Sequence, residues 1–305
     1  MERFWETVYN ELMAILPGSV EKDVVLAPFT SFKLGGPARL LITVNTDIDL
    51  LSCMHYLGSR SLPYFILGGG SNLLISDRGY DGVIVKLEGD FLKTDFCEGN
   101  YVWVGCGCFL PRLQKRLIKA GLSGLEFATG IPGTIGGALF MNAGAWKHYF
   151  SEIVKSFVTL GMDGNLGYIK ATKDMWGYRE FYEHHRIFLR ALFKLRPEHP
   201  AKIKEKMSGY MRERKKKQPI GLRTAGSVFR NPEDNPAGYL IEKAGLKGKR
   251  VGGAYISPKH ANFIVAEENA TSSDVYRLME EIKKTVDIKF GIELKPEIKF
   301  LGEFN

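Results

Sequence analysis

The sequence predicts an α+β protein with mixed sheets, and three observations carry that reading. Residues 38–70 run strand, helix, strand; residues 82–107 and 152–195 set strand-like runs one after another; and the last module mixes helices with short strands. No internal repeat or low-complexity segment interrupts this order.

Taken in turn, MERFWETVYNELMAIL places Phe4, Val8, Leu12 and Ile15 at helical spacing among Glu2, Glu6 and Glu11, so it reads as an amphipathic helix. A signal peptide would need a basic start and an unbroken apolar core. The strand-like ARLLITV (38–44) and LPYFILGGG (62–70) flank NTDIDLLSCMHYL (45–57), a helix with Thr46 or Asp47 as its cap. GVIVKL (82–87), the turn-rich 88–100 and YVWVGCG (101–107) follow, then the helix LPRLQKRLIKAGL (110–122). Beyond a glycine-rich stretch come the strand-like 152–162, a turn at Asp163-Gly164-Asn165 and the strand-like 187–195. A basic helix over 201–217 leads into the final module. There AGYLIEKAGL is a short helix, HANFIVAEE a strand, 272–291 a long amphipathic helix capped by Ser273 or Asp274, and 292–304 the closing segment.

At 305 residues the length points to two domains or a divided one. A hydrophobic fraction of 45% and a charged fraction of 25% are those of a globular chain and exclude disordered or collagen-like classes. No apolar run approaches the length of a membrane span, so no membrane partner and a cytoplasmic location are expected. Cys53, Cys97, Cys106 and Cys108 are too few and too irregular for a disulfide framework, and reduced thiols are expected. Cys106 and Cys108 lack a second ligand pair, and the adjacent His184 and His185 diverge on any regular element, so no metal is expected. The net charge of +8, concentrated in Arg212-Glu213-Arg214-Lys215-Lys216-Lys217, fits a solvated helix face, attraction of a small anionic substrate, or nucleic-acid binding.

Two glycine clusters point to chemistry. LEFATGIPGTIGGALFMNAGAW (125–146) holds Gly130, Gly133, Gly136, Gly137 and Gly144 beside Thr129, Thr134 and Asn142; ILGGGSNLLISD (66–77) repeats the pattern. Glycine lets the backbone approach a bound group, and successive amides at a turn or helix start form an anion site. Two such clusters suggest one extended ligand with two phosphates, a dinucleotide first of all. Neither fits the Rossmann fingerprint, since Gly68-Gly69-Gly70-Ser71-Asn72-Leu73 lacks the third glycine in register. Gly245-Leu246-Lys247-Gly248-Lys249-Arg250 likewise fails as a phosphate loop, and Gly105-Cys106-Gly107-Cys108 reads as turn glycines.

Eight segments, in this order, resemble the UDP-N-acetylenolpyruvoylglucosamine reductases: TSFKLGGPARL (30–40), LGGGSNLLISD (67–77), GLEFATGIPGTIGGALFMNAGAW (124–146), GYRE (177–180), AGSVFRNP (225–232), LIEKAGLKG (240–248), VGGAYISPKHANFIV (251–265) and LKPEIKFLG (294–302). The resemblance implies an FAD-binding domain of the vanillyl-alcohol-oxidase (PCMH) type over 20–197, in subdomains of about 20–87 and 88–197. A C-terminal α+β substrate-binding domain over 198–305 would follow. It implies non-covalent FAD, NADPH as co-substrate, a UDP-sugar substrate, a monomer, no nucleic-acid partner and a role in peptidoglycan synthesis. The length matches the shorter subtype of the family, without an extra substrate-covering loop. No separate nicotinamide fingerprint stands in the chain, so NADPH rests on the resemblance alone.

By the same resemblance, the cofactor residues are Gly68, Gly69, Gly70, Ser71 and Asn72, with Thr129, Gly130, Pro132, Gly133, Thr134, Gly136, Gly137, Asn142, Ala143 and Gly144. Arg179 in GYRE and Glu297 in KPEIK match the family's positions for stabilising charge on the substrate carboxylate, and Ser227 in AGSVFRNP its proton donor. Tyr178, Asn231, Lys259, His260 and Asn262 are implied to line the substrate region. The chain departs from the family pattern at Phe181, where a serine with a supporting hydrogen bond is usual, and at Ala266-Glu267-Glu268, where Asn and Gly are common. An oxidase of the same FAD fold and a basic nucleic-acid-binding protein are the competing readings.

Overall fold

The computed structural model describes residues 2–161 and 163–304. Met1, Met162 and Asn305, where the expected first helix begins, the 152–162 strand ends and the 198–305 domain closes, lie outside the described residues. Mixed sheets and helices confirm the α+β class. The chain divides into two compact units that do not follow sequence order. One gathers the chain up to Lys22, Leu40–Gly69 and Gly82–Arg212; the other gathers Asp23–Arg39, Gly70–Asp81 and the chain from Glu213. Two early segments thus join the C-terminal core in the second unit.

The first unit holds two cores. In one, helix α1 (Glu2–Ile15) and helix α2 (Asp47–Ser59) cover a four-stranded sheet ordered Val20–Val25, Pro37–Val44, Tyr80–Leu87, Tyr64–Leu67, with Val8, Leu12, Leu50, Leu57, Ile42 and Val85 fully buried. Thr46 caps α2 in a reciprocal box with Asp49, which settles the choice between Thr46 and Asp47. The other core lies on a five-stranded antiparallel sheet ordered Leu166–Lys170, Val154–Leu160, Ile187–Lys194, Tyr101–Gly105, Thr94–Cys97. Helix α3 (Leu110–Ala120) and the short helix α4 (Ile135–Phe140) bury Leu113, Leu117, Ile135 and Leu139 in that core. The strand at Thr94–Cys97 forms inside the segment read as turn-rich. Helix α5 (Pro200–Lys217) is the expected basic helix, and only Ile203 of it is buried, so its charges do form a largely solvated face.

The second unit packs helix α6 (Ala237–Lys243) and helix α7 (Ser272–Phe290) with the sheet Arg250–Val251, Ala254–Ile256, Ile264–Ala266. The strand expected over 260–268 shrinks to three residues because Phe263 turns back on His260 through its amide. Helix α7 is capped by Thr271, not by Ser273 or Asp274: Asp274 is the far half of the capping box. The 70–81 segment reaches this core by two ties. Leu73–Ile75 pairs in parallel with Lys299–Leu301, and the Asp77 carboxylate accepts from the Ser272 amide (2.7 Å), the Ser273 amide (2.8 Å) and the Ser273 hydroxyl (2.6 Å). No described helix is long and apolar enough to cross a membrane.

Burial alone raises the Asp77 pKa, but the three serine hydrogen bonds together outweigh it and hold the carboxyl below its ordinary value. A folded pKa below the unfolded one contributes stability above the unfolded pKa, and this is lost as pH falls through the folded value. Asp77→Ala is expected to lower stability by about 1 kcal/mol in urea unfolding near neutral pH, as for a lost helix cap. The gap to wild type closes in acid; a gap that persists unchanged there would contradict the capping role.

Candidate active site

In the first unit the two glycine clusters meet backbone to backbone. A side chain at Gly69 would lie 2.5 Å from the Gly133 Cα, and one at Gly68 would lie 2.9 Å from the Thr134 hydroxyl. Thr134 caps α4 by accepting from the Gly137 amide at 3.4 Å. The other leading amides of α4 are spoken for: Ile135 donates to the Cys108 carbonyl (2.9 Å) and Gly136 to the Cys106 carbonyl (2.8 Å). An anion cradle at those three amides, suggested by the glycine pattern, is thus already filled by protein. Gly105-Cys106-Gly107-Cys108 is the turn expected of it, and it also fastens α4, a duty the sequence reading missed.

The loop around α4 nevertheless leaves polar atoms for a ligand. The Thr129 hydroxyl and the Trp146 indole N–H are buried without a hydrogen-bond partner, and Thr129 is only 5% exposed. Buried polar atoms are seldom left unpaired, so two in one glycine-rich loop fit a polar cofactor such as FAD. Trp146 holds a left-handed backbone (φ 56°) and stacks on Tyr210 at 5.3 Å. Sequence gave no sign of it, since neither the φ nor the partner on α5 is periodic. Pro132 and Gly130 shape the entry to α4, and Asn142, Ala143 and Gly144 its exit. The Asn142 side chain looks inward: its amide donates to the Gly177 carbonyl (3.0 Å) and its oxygen accepts from the Ser151 amide (3.1 Å).

Gly177 begins the second feature, a hairpin in which Trp176 pairs with Phe181 and Gly177 with Glu180. Tyr178 and Arg179 form its two-residue tip. Arg179 has φ 59°, a conformation that costs a side-chain-bearing residue about 1–2 kcal/mol and must be held by its surroundings. The guanidinium lies 5.2 Å from the centre of the Tyr178 ring.

The second unit brings Ser227 and Glu297 onto facing segments. Phe229 bridges Pro296, the Glu297 amide donates to the Val228 carbonyl (2.8 Å), and the Arg230 amide donates to the Lys295 carbonyl (2.9 Å). Asn72 joins them through its side-chain amide, which donates to the Glu297 carbonyl at 3.1 Å. Gly70 (φ 58°) sits against the Phe29 carbonyl where no side chain fits, and Ser71 follows it. Asn262 is buried and mimics a strand, accepting from the Phe229 amide (3.0 Å) and donating to the Phe229 carbonyl (2.8 Å). It therefore steadies the Ser227 loop. Asn231 accepts from the Ala237 amide (3.0 Å) at the start of α6, and burial lowers the His260 pKa, favouring the neutral ring. Lys259 is exposed. Among the described residues no group of three or more His, Cys, Asp or Glu could hold a metal ion.

Comparison with known proteins shows the family. Residues 38–166 match the FAD binding domain model, and 218–301 match the C-terminal domain model of UDP-N-acetylenolpyruvoylglucosamine reductase. A UDP-N-acetylenolpyruvoylglucosamine reductase of Caldanaerobacter subterraneus subsp. tengcongensis is 40% identical over 98% of this chain and 99% of its own length. One of Caldicellulosiruptor saccharolyticus is 41% identical over 93% of this chain and 92% of its own. The crystal structure of the enzyme from Thermus caldophilus superposes with a TM-score of 0.81 at 35% identity, covering 93% of this chain and 99% of that one. On this evidence the chain belongs to the UDP-N-acetylenolpyruvoylglucosamine reductase family.

Proposed function

We propose that Arg179, Ser227 and Glu297 carry out the reduction of UDP-N-acetylglucosamine enolpyruvate to UDP-N-acetylmuramate, the FAD- and NADPH-dependent step of peptidoglycan synthesis that this family performs. The observation that carries the reading is the closure of the two glycine clusters on each other at Gly69 and Gly133, beside the unpartnered Thr129 and Trp146 atoms. FAD, held by Gly68, Gly69, Gly70, Ser71 and Asn72 and by the loop over 129–144, would supply hydride-transfer chemistry here, with NADPH as the source of the hydride.

The protein's own residues manage the charge and the proton. Hydride addition to one alkene carbon leaves an electron pair delocalised from the other carbon into the substrate carboxylate. Arg179 meets that growing charge with a planar cationic fork, and Glu297 completes the hydrogen bonding around the carboxylate in its protonated or paired form. Ser227 then gives its hydroxyl proton to the carbon beside the carboxylate, which completes reduction of the double bond. Tyr178, Asn231, Lys259, His260 and Asn262 frame the UDP-sugar, Asn262 by steadying the Ser227 loop. Flavin binding belongs to 20–197 and substrate binding to 198–305, with Gly70, Ser71 and Asn72 serving the flavin although they pack in the second unit. A monomer in the cytoplasm, without a nucleic-acid partner, completes the reading.

Gly69→Ala should yield folded protein with at least about tenfold weaker FAD retention, because no methyl group fits against Gly133. Flavin absorbance per mole of protein and the melting of the flavin-free form check this; full flavin content would contradict the contact's role. Ser227→Ala should leave flavin reduction by NADPH within about twofold of wild type while slowing reoxidation by the enolpyruvyl substrate about 100-fold or more. Equal losses in both half-reactions, followed by stopped-flow absorbance, would remove Ser227 from the proton-donor role.

A further inference from the structure

The tip of the Trp176–Phe181 hairpin confronts a physical problem. A two-residue tip with a positive φ at its second position ordinarily takes glycine or asparagine, yet here the position is Arg179 (φ 59°). Something outside the tip must hold it. Directly behind it, Phe181 is fully buried and touches three other rings. Its ring centre lies 5.2 Å from that of Trp176, its partner across the hairpin, 4.8 Å from Phe188 and 5.9 Å from Phe157. Phe157 and Phe188 stand on the central strands of the five-stranded sheet, and their own rings are 5.0 Å apart. The four rings thus nail the hairpin stem to the sheet.

The same stem is tied to the glycine-rich loop. The Trp176 indole donates to the Leu139 carbonyl (2.9 Å) in α4, and Asn142 at the exit of α4 donates to the Gly177 carbonyl (3.0 Å). Phe181 shares one buried core with Ile135, Ala138 and Leu139 of α4. Loop and hairpin are therefore one packed body within this unit, and Phe181 is the apolar centre of the joint.

We propose that Phe181 is a positioning residue: its ring fixes the hairpin so that Arg179 is presented in its left-handed conformation at a set place relative to the glycine-rich loop. The proposal rests on the reading of Arg179 as the cation for the substrate carboxylate. Phe181 itself touches no reacting atom. Loosening it lets the tip relax toward ordinary backbone angles and displaces the guanidinium, which matters only once substrate must be held and charged.

The test compares Phe181→Leu, Phe181→Ala and Arg179→Ala holoenzymes in three measurements: flavin reduction by NADPH, flavin reoxidation by the enolpyruvyl UDP-sugar, and the flavin spectral shift that reports binding of that sugar to the oxidised enzyme. Leucine retains apolar bulk, so Phe181→Leu should fold and retain flavin even if the alanine cavity proves too costly. Expected for Phe181→Leu is reduction within about twofold of wild type, reoxidation about tenfold slower and a weakened or altered spectral shift. Phe181→Ala, where it folds, should slow reoxidation about 100-fold, so that leucine partly rescues it. If Arg179→Ala slows reoxidation and Phe181→Leu leaves both reoxidation and the shift at wild-type values, or slows both half-reactions alike, Phe181 is core packing only and the inference falls. If Arg179→Ala leaves reoxidation intact, the reading of Arg179 fails first, and the inference with it.

Discussion

The approach of Gly69 to Gly133 is a contact that only bare backbone can make, and the course of the glycine-rich loop depends on it. A single methyl at Gly69 would enter the Gly133 Cα. Once the two segments lie this close, Thr134 is placed to cap α4, and α4 in turn receives the Cys106 and Cys108 carbonyls on its leading amides. The loop that results is stiff on its protein side. Its unpartnered polar atoms, Thr129 Oγ1 and Trp146 Nε1, are the ones left for a ligand to satisfy. A loop whose amides were all unsatisfied would have to rearrange on binding; this one is largely set in advance.

Preorganisation of a different kind governs the charged residues. Arg179 sits on a strained tip held by an aromatic stem, while Ser227 and Glu297 lie on short facing segments stitched by backbone hydrogen bonds and by Asn72 and Asn262. In the proposed reading these groups are donors fixed in advance where charge develops, and such donors spare reorganisation at the moment of reaction, usually the largest single term in catalysis of this kind. Asparagine does much of the fixing. Asn72, Asn142 and Asn262 each donate from the side-chain amide to a backbone carbonyl, those of Glu297, Gly177 and Phe229.

Much of the fold was legible because periodicity and caps are local. The amphipathic α1, the Thr46 cap of α2 and the strands at 38–44, 82–87 and 187–194 appear close to where the pattern put them. The division into units was not legible. It depends on Asp77 reaching Ser272 and Ser273, and on Leu73–Ile75 pairing with Lys299–Leu301, contacts between residues far apart in sequence. At the candidate site, the glycine clusters and the GYRE, AGSVFRNP and KPEIK segments named the regions to look at. Their inner workings were hidden: the amides of α4 were counted as an anion cradle but serve the Cys106 and Cys108 carbonyls, and Phe181, read as the loss of a hydrogen bond, is the anchor of an aromatic cluster.

The central claim is that one flavin site passes hydride from NADPH to the enolpyruvyl UDP-sugar, and anaerobic absorbance of the purified wild-type protein tests it most directly. The flavin band should bleach on adding NADPH and return, without oxygen, on adding UDP-N-acetylglucosamine enolpyruvate. A band that bleaches yet returns only when oxygen is admitted would contradict the claim and point to an oxidase, and a protein that takes up no flavin would contradict it outright.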